Sequence, residues 1–336
     1  MERERDHLFD NVKAAMLFLV AFGHAIDVYK GTGGFEYDLM KWIYLFHMPV
    51  FAFVTGYFSK DAEKARATAL TRALFPYLVF QGAYVVMGRS MVSRGAATVN
   101  ADIFNGSILL PSSAFYYLLA VFFWKSFQKE LFRFRNPLAL SIGLGAAVGL
   151  TGQREFHVGL GAVFTLLPFF VLGSVCDGTV VRAVRRVPKW FWAAVLAGGA
   201  AVAHWTPYAI HSVRLTYADC GFGPLGGIAW RLLFYFVATV MGAAVLGLAP
   251  AGRTVLSRVG EGALLAYAGS TFLSPHAYVL VAGPLGLAAN RAANLAGMVL
   301  FSFAVVWVCS LPPFVRTWKA FSAGIERTLL RPTPRH

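Results

Sequence analysis

DNVKAAMLFLVAFGHAI, residues 10–26, and LFHMPVFAFVTGYF, residues 45–58, are two apolar runs that each hold a histidine in their interior. Removing an ionisable group from water is costly, so a histidine kept inside a membrane-length run is a functional-site hypothesis by default. Both runs approach the roughly 20 residues that a helix needs to cross about 30 Å of hydrocarbon. Apolar runs of similar length recur outward from this pair. They predict spans near 12–29, 40–58, 70–90, 113–128, 136–151, 159–176, 190–207, 226–248, 262–282 and 293–313. The composition agrees: 57% of the 336 residues are hydrophobic and 14% charged, against about a quarter charged in a soluble domain. The expected fold is an all-α polytopic membrane helix bundle of about ten transmembrane helices, a single domain over 1–336 that includes a short basic tail at 314–336.

The formal net charge of +14 follows the membrane and does not mark a nucleic-acid face. With both termini in the cytoplasm, the predicted spans put 22 of the 30 lysines and arginines on the inner side. Lys13, Lys60, Arg72, Lys125, Arg185, Arg253 and Arg258 are among them. Eight remain outside, Lys41, Arg231 and Arg291 included. That asymmetry is the positive-inside pattern of a multi-pass protein of the cell membrane. Anionic lipid headgroups are its simplest partners. The first run carries Asp10, Lys13 and His24 and lacks a small-residue cleavage site, so it reads as a permanent helix and not a leader. Cys176, Cys220 and Cys309 show neither metal-ligand spacing nor a disulfide framework.

Candidate chemistry lies with the polar residues inside the spans. His24 follows Lys13 by eleven residues, close to three turns, which puts both side chains on one helix face about 16 Å apart along the axis. Asp10 can pair with Lys13. On the next span, running the other way, His47 reaches a similar depth, so the two histidines could face one site. An imidazole shielded from bulk water suits general-base catalysis on a hydroxyl. A lysine nearer the cytoplasm suits the phosphates of a carrier such as coenzyme A. The plain alternative is that each histidine hydrogen-bonds a neighbouring helix.

These residues resemble the acyltransferase-3 group of integral membrane O-acyltransferases, especially its branch of fucose 4-O-acetylase and related acetyltransferases. The likeness runs over most of the chain and is strongest in the first 90 residues. Lys13 to His24 matches a basic residue, ten intervening residues and a histidine, with Asp10 and Gly23 alongside. Phe46, His47, Met48 and Pro49, then Thr55, Gly56 and Tyr57, match the second-helix pattern, with Thr in place of Ser. Arg72 leading to Pro76 and Tyr77, then Tyr116, Tyr117, Leu118, Trp124 and Lys125, and later Pro168, Phe169, Phe170 and Gly173, continue it. One departure stands out: Gly260, Leu264 and Tyr267 keep the frame of a late motif, but Ser270 stands where relatives carry a histidine, and His276 is out of register.

The resemblance implies transfer of an acyl group, most simply acetyl from acetyl-coenzyme A, to a hydroxyl of a carbohydrate or lipid-linked glycan. It calls for no metal and no nucleic acid. In that scheme His24 is the general base, or else a covalent acyl carrier. Lys13 and Arg72 hold the donor's phosphates, and His47, Tyr57, Tyr116, Tyr117 and Trp124 shape the acyl or acceptor pocket. Taken singly, each aromatic suits ordinary bundle packing or interface anchoring better than a site role. The outer loops 91–112 and 208–225 leave room for a modest acceptor site, where Arg89, Arg94, Asp102, Arg214 and Asp219 could contact sugar hydroxyls or simply be solvated loop charges. Two other classes remain open, a proton-coupled small-solute transporter using His24 and Lys13, and a scaffold that binds no acyl donor.

Overall fold

The computed structural model describes residues 7–93, 107–151, 159–207, 213 and 215–329. Among the described residues every regular element is helical. A helix stands on each apolar run: α1 (His7–Ile26), α2 (Phe35–Tyr57), α4 (Phe75–Ser93) behind the short α3 (Ala62–Ala67), α5 (Tyr116–Leu131), α6 (Pro137–Ala147) and α7 (Leu160–Val175). After α8 (Gly178–Arg186) come α9 (Lys189–Trp205), α10 (Pro224–Leu248), the short α11 (Ser257–Glu261), α12 (Ala263–Ala282), α13 (Arg291–Cys309) and α14 (Pro312–Leu329).

Among the described residues, five helical stretches are long and apolar enough to cross a membrane: His7–Tyr29, Phe35–Tyr57, Leu70–Ser90, Pro224–Leu248 and Arg291–Cys309. The pair α7 and α8, bent by 96°, makes a sixth if it is one broken span. Helix length therefore supports five or six crossings, where the apolar runs predict about ten. The physical reason is that α5 and α7 have 16 residues, α6 has 11 and α9 has 17, while α12, 20 residues long, is apolar among the described residues only over Ala263–Ser274. Sixteen residues rise about 24 Å, short of a full hydrocarbon layer.

The tightest packing joins α2 to α7. A Cβ on Gly56 would stand 1.9 Å from the Phe170 carbonyl oxygen, and one on Gly173 would stand 2.0 Å from that of Phe53. Reciprocal glycines let two backbones touch, as small residues do at membrane helix interfaces. The corner after α7 is made by Asp177, whose carboxylate accepts the amides of Thr179 and Val180 and so caps α8. The Thr179 hydroxyl and these amides hold that carboxyl below the usual range.

The start of α1 and the end of α13 meet at one end of the bundle. Asn11 reaches the loop after α10, and a Cβ on Gly262 would touch Ser310. This end also gathers Lys13, Lys60, Arg185 and Arg253 and is called the basic end below. At the opposite end charges are closed in pairs: Arg291 with Glu36, and Asp38 with Lys41 at 3.0 Å and His204 at 2.6 Å. The basic stretch beginning at 314 is helical through Leu329. In α14, Trp318 stacks on Phe80 at 4.8 Å, and its other side carries Arg316, Lys319 and Arg327. With one side apolar and the other basic, α14 is amphipathic.

Candidate functional site

One unbroken helix carries Asp10, Lys13 and His24, so the shared face expected from the eleven-residue spacing is present in the fold. Asp10 is buried, and its carboxylate meets the Lys13 ammonium at 2.7 Å. Lys13 keeps a quarter of its side chain accessible. The sequence reading missed what fixes this end of α1. The Asn11 amide donates to the Pro250 and Gly252 carbonyls at 2.9 Å each and accepts the hydroxyls of Thr254 and Ser257 at 2.6 and 2.8 Å. With all four positions of the amide used, α1 cannot rotate about its axis at this end. Gly260 of α11 lies against the Asp10 backbone, with room for no side chain.

His24 lies deeper in the bundle and is half-buried. His47 on α2 is within electrostatic range of it, so the two histidines do come together. His47 is buried, and its Nδ1 lies 2.8 Å from the Ile43 carbonyl. A carbonyl only accepts, so Nδ1 carries the proton and Nε2 presents a lone pair. The Tyr44 ring fills the space between these helices, 5.2 Å from His47, and its hydroxyl donates to the Gly23 carbonyl at 3.4 Å. A Cβ on Gly23 would stand 2.9 Å from that ring, which is why a glycine precedes His24.

The aromatic candidates divide between two places. Tyr117 is buried and shares a 2.7 Å hydrogen bond with Thr55, one and two turns along α2 from Phe51 and His47. Tyr116 and Tyr267 lie beside it, the latter at 6.0 Å between rings and with its hydroxyl given to the Ala114 carbonyl. Trp124 donates to the Val163 carbonyl at 2.9 Å and stacks on Phe170, which is a packing role. Tyr57 stands at the basic end instead, 4.5 Å from the Phe9 ring and under the Lys60 ammonium at 4.6 Å.

Arg72 falls in a π-helical turn, Leu70–Leu74, at the entrance to α4. Such turns widen a helix and often occur at functional sites. Lys125 of α5, half-buried, is close enough to Arg72 to feel its charge. Among the described residues neither cation has a carboxylate partner. Two adjacent cations left so are a ready binding place for phosphate.

On α12, Ser270 and Thr271 are fully buried and both give their hydroxyls back to the Tyr267 carbonyl, at 2.7 and 3.0 Å. Ser270 therefore has no proton to offer a ligand in place of a late histidine. Asp219 is engaged by the Thr216 amide and hydroxyl in its own loop. Arg94, Asp102, Arg214 and the side chain of His276 lie outside the described residues. Among the described residues no group of three or more His, Cys, Asp or Glu side chains could hold a metal ion.

No family model matches the chain, and no solved structure matches it. The chain is similar over one segment to nodulation protein NolL. The Mesorhizobium japonicum protein is 41% identical over 61 residues, 17% of this chain and 16% of that protein. The Sinorhizobium fredii protein is 41% identical over 56 residues, 16% of this chain and 15% of that one. The shared segment is thus a small part of either relative's length.

Proposed function

We propose that the protein is a membrane O-acyltransferase that moves an acyl group, acetyl in the simplest case, from acyl-coenzyme A to a hydroxyl of a carbohydrate or lipid-linked glycan. The observation that carries this reading is the single face of α1, with buried Asp10 paired to the partly accessible Lys13 at the basic end and His24 deeper in the bundle beside His47. The motif resemblance and the partial likeness to NolL support it. In this scheme both termini and the basic end face the cytoplasm, where the donor is made, and the acceptor approaches His24 from the other side.

The chemistry follows from the side chains. The donor's phosphates rest on Arg72 and Lys125, with Lys13 as a third cation held in place by Asp10. His24 accepts the proton of the acceptor hydroxyl while its oxygen attacks the thioester carbonyl. The C–S bond then breaks, the thiolate leaves as coenzyme A, and the proton held by His24 returns to sulfur. His47 donates its Nδ1 proton to the Ile43 carbonyl, which fixes the orientation of its ring beside His24. Tyr116, Tyr117 and Thr55 bound the acyl pocket.

The test supplies acetyl-coenzyme A, radiolabelled in the acetyl group, to membranes containing the protein, with an envelope-carbohydrate extract as acceptor. Label in the carbohydrate, dependent on the protein, supports the reading. Solute-dependent proton flux in liposomes without any transfer of label would replace it with transport.

A further inference from the structure

On the side of α1 turned away from Lys13 and His24, the structure contains an elongated cleft of about 700 Å³ between α1, α2, α10 and α13. Eleven residues bring the helix back to within about 20° of its starting direction, so Lys13 and His24 share one direction, whereas Ala14, Ala15, Phe18 and Leu19 in the cleft wall point the other way. The cleft is therefore separate from the proposed acyl-transfer site. Its volume is that of a ligand pocket.

The walls are almost wholly hydrocarbon. Three of the polar side chains in the wall are already committed: Asn11 and Thr254 bond each other at 2.6 Å, and the Trp42 indole donates to the Leu196 carbonyl at 2.9 Å. Such a cleft offers water too few partners and suits a flexible alkyl chain. Leu300 and Phe303 on the α13 rim are 70% and 47% exposed, so the cleft opens sideways, where α13 faces hydrocarbon. Its basic end closes against the loop 249–256. There Arg253 is flanked by Gly252 and Thr254, and Arg258 precedes Val259, another wall residue. Both arginines are exposed, and among the described residues neither has a carboxylate partner.

We infer that this cleft binds one anionic phospholipid, an acyl chain lying along α1 and α13 and the phosphate resting on Arg253 and Arg258. The charge beside the closed, basic end selects the headgroup, and the hydrocarbon wall, open to the side, selects the tail. The inference does not depend on the acyltransferase reading.

The test reconstitutes the full chain in phosphatidylcholine nanodiscs containing a trace of phosphatidylglycerol with a photoreactive acyl chain, and maps the crosslinks by mass spectrometry. The expected sites are Ala15, Phe18 and Phe303. Removing two basic residues at a membrane surface weakens anionic-lipid binding by up to about thirtyfold, so the double variant Arg253→Gln, Arg258→Gln is expected to lose most of this labelling. Ala15→Trp, which fills the cleft, is expected to abolish it, with an unchanged circular dichroism spectrum as the folding control. Inorganic phosphate at matched concentration should not compete. Three results would overturn the inference: crosslinks spread evenly over outward residues such as Trp190 and Phe236, equal labelling by a phosphatidylcholine probe, or labelling indifferent to both sets of substitutions.

Discussion

The two sides of α1 are built to opposite specifications. One presents a buried carboxylate, an ammonium and an imidazole in a line from the basic end into the bundle, and the other presents alanine, phenylalanine and leucine to an open hydrocarbon cleft. A single helix can do both because its first turn is clamped. Four hydrogen bonds to Asn11 and the contact with Gly260 fix its rotation, and a turn of even one residue would carry Lys13 toward the cleft. The lesson is that polar chemistry in a membrane needs rotational restraint as much as it needs the polar residue.

That contrast can be broken from either side. The largest effect is expected for His24→Ala, which should lower transfer by about 10²–10⁴-fold, the usual contribution of a positioned general base, while lipid crosslinking in the cleft is unchanged. Rotating the frame should damage both faces at once. For this, Asn11→Leu removes every bond of the clamp and strands the hydroxyls of Thr254 and Ser257, at a cost of about 2–3 kcal/mol, read as a lower melting temperature together with loss of transfer. Gly56→Ala is the control that destabilises without touching either face. Its Cβ forces α2 from α7, and the expected result is a poorly expressed protein whose surviving fraction transfers normally.

Smaller effects sharpen the picture. Lys125→Ala should raise the KM for acyl-coenzyme A several-fold with little change in kcat, because it removes a phosphate contact that is the same in the ground and transition states. Tyr117→Phe keeps the ring that bounds the acyl pocket, loses only the bond to Thr55 and should cost about 1 kcal/mol of stability, measured by thermal unfolding, with transfer nearly intact.

Much of this was legible in the sequence. The shared face of Lys13 and His24 follows from eleven residues at 3.6 per turn, and the convergence of His24 with His47 follows from depth on antiparallel neighbours. Every predicted apolar run became a helix. What escaped was long-range. Asn11 has its partners about 240 positions away, beyond any local pattern, although an amide inside an apolar run next to Asp10 was a visible signal. The pairing of Arg72 with Lys125 arises from the packing of α4 on α5, and Lys125 read only as a motif residue. The number of crossings was harder still. Apolar content gives a run of suitable composition, but α6, at 11 residues, shows that composition does not set helix length. The bond from the Ser270 hydroxyl back to the Tyr267 carbonyl could not be read from the sequence, which gave only its place in the frame set by Gly260, Leu264 and Tyr267.

The measurement that tests the central claim most directly compares wild type, His24→Ala and His47→Ala in one preparation, scoring both binding of acetyl-coenzyme A and appearance of labelled acceptor. The account predicts that all three bind the donor, that His24→Ala alone transfers essentially no label, and that His47→Ala transfers at a reduced rate. Undiminished transfer by His24→Ala, in protein that folds and binds the donor, would contradict it.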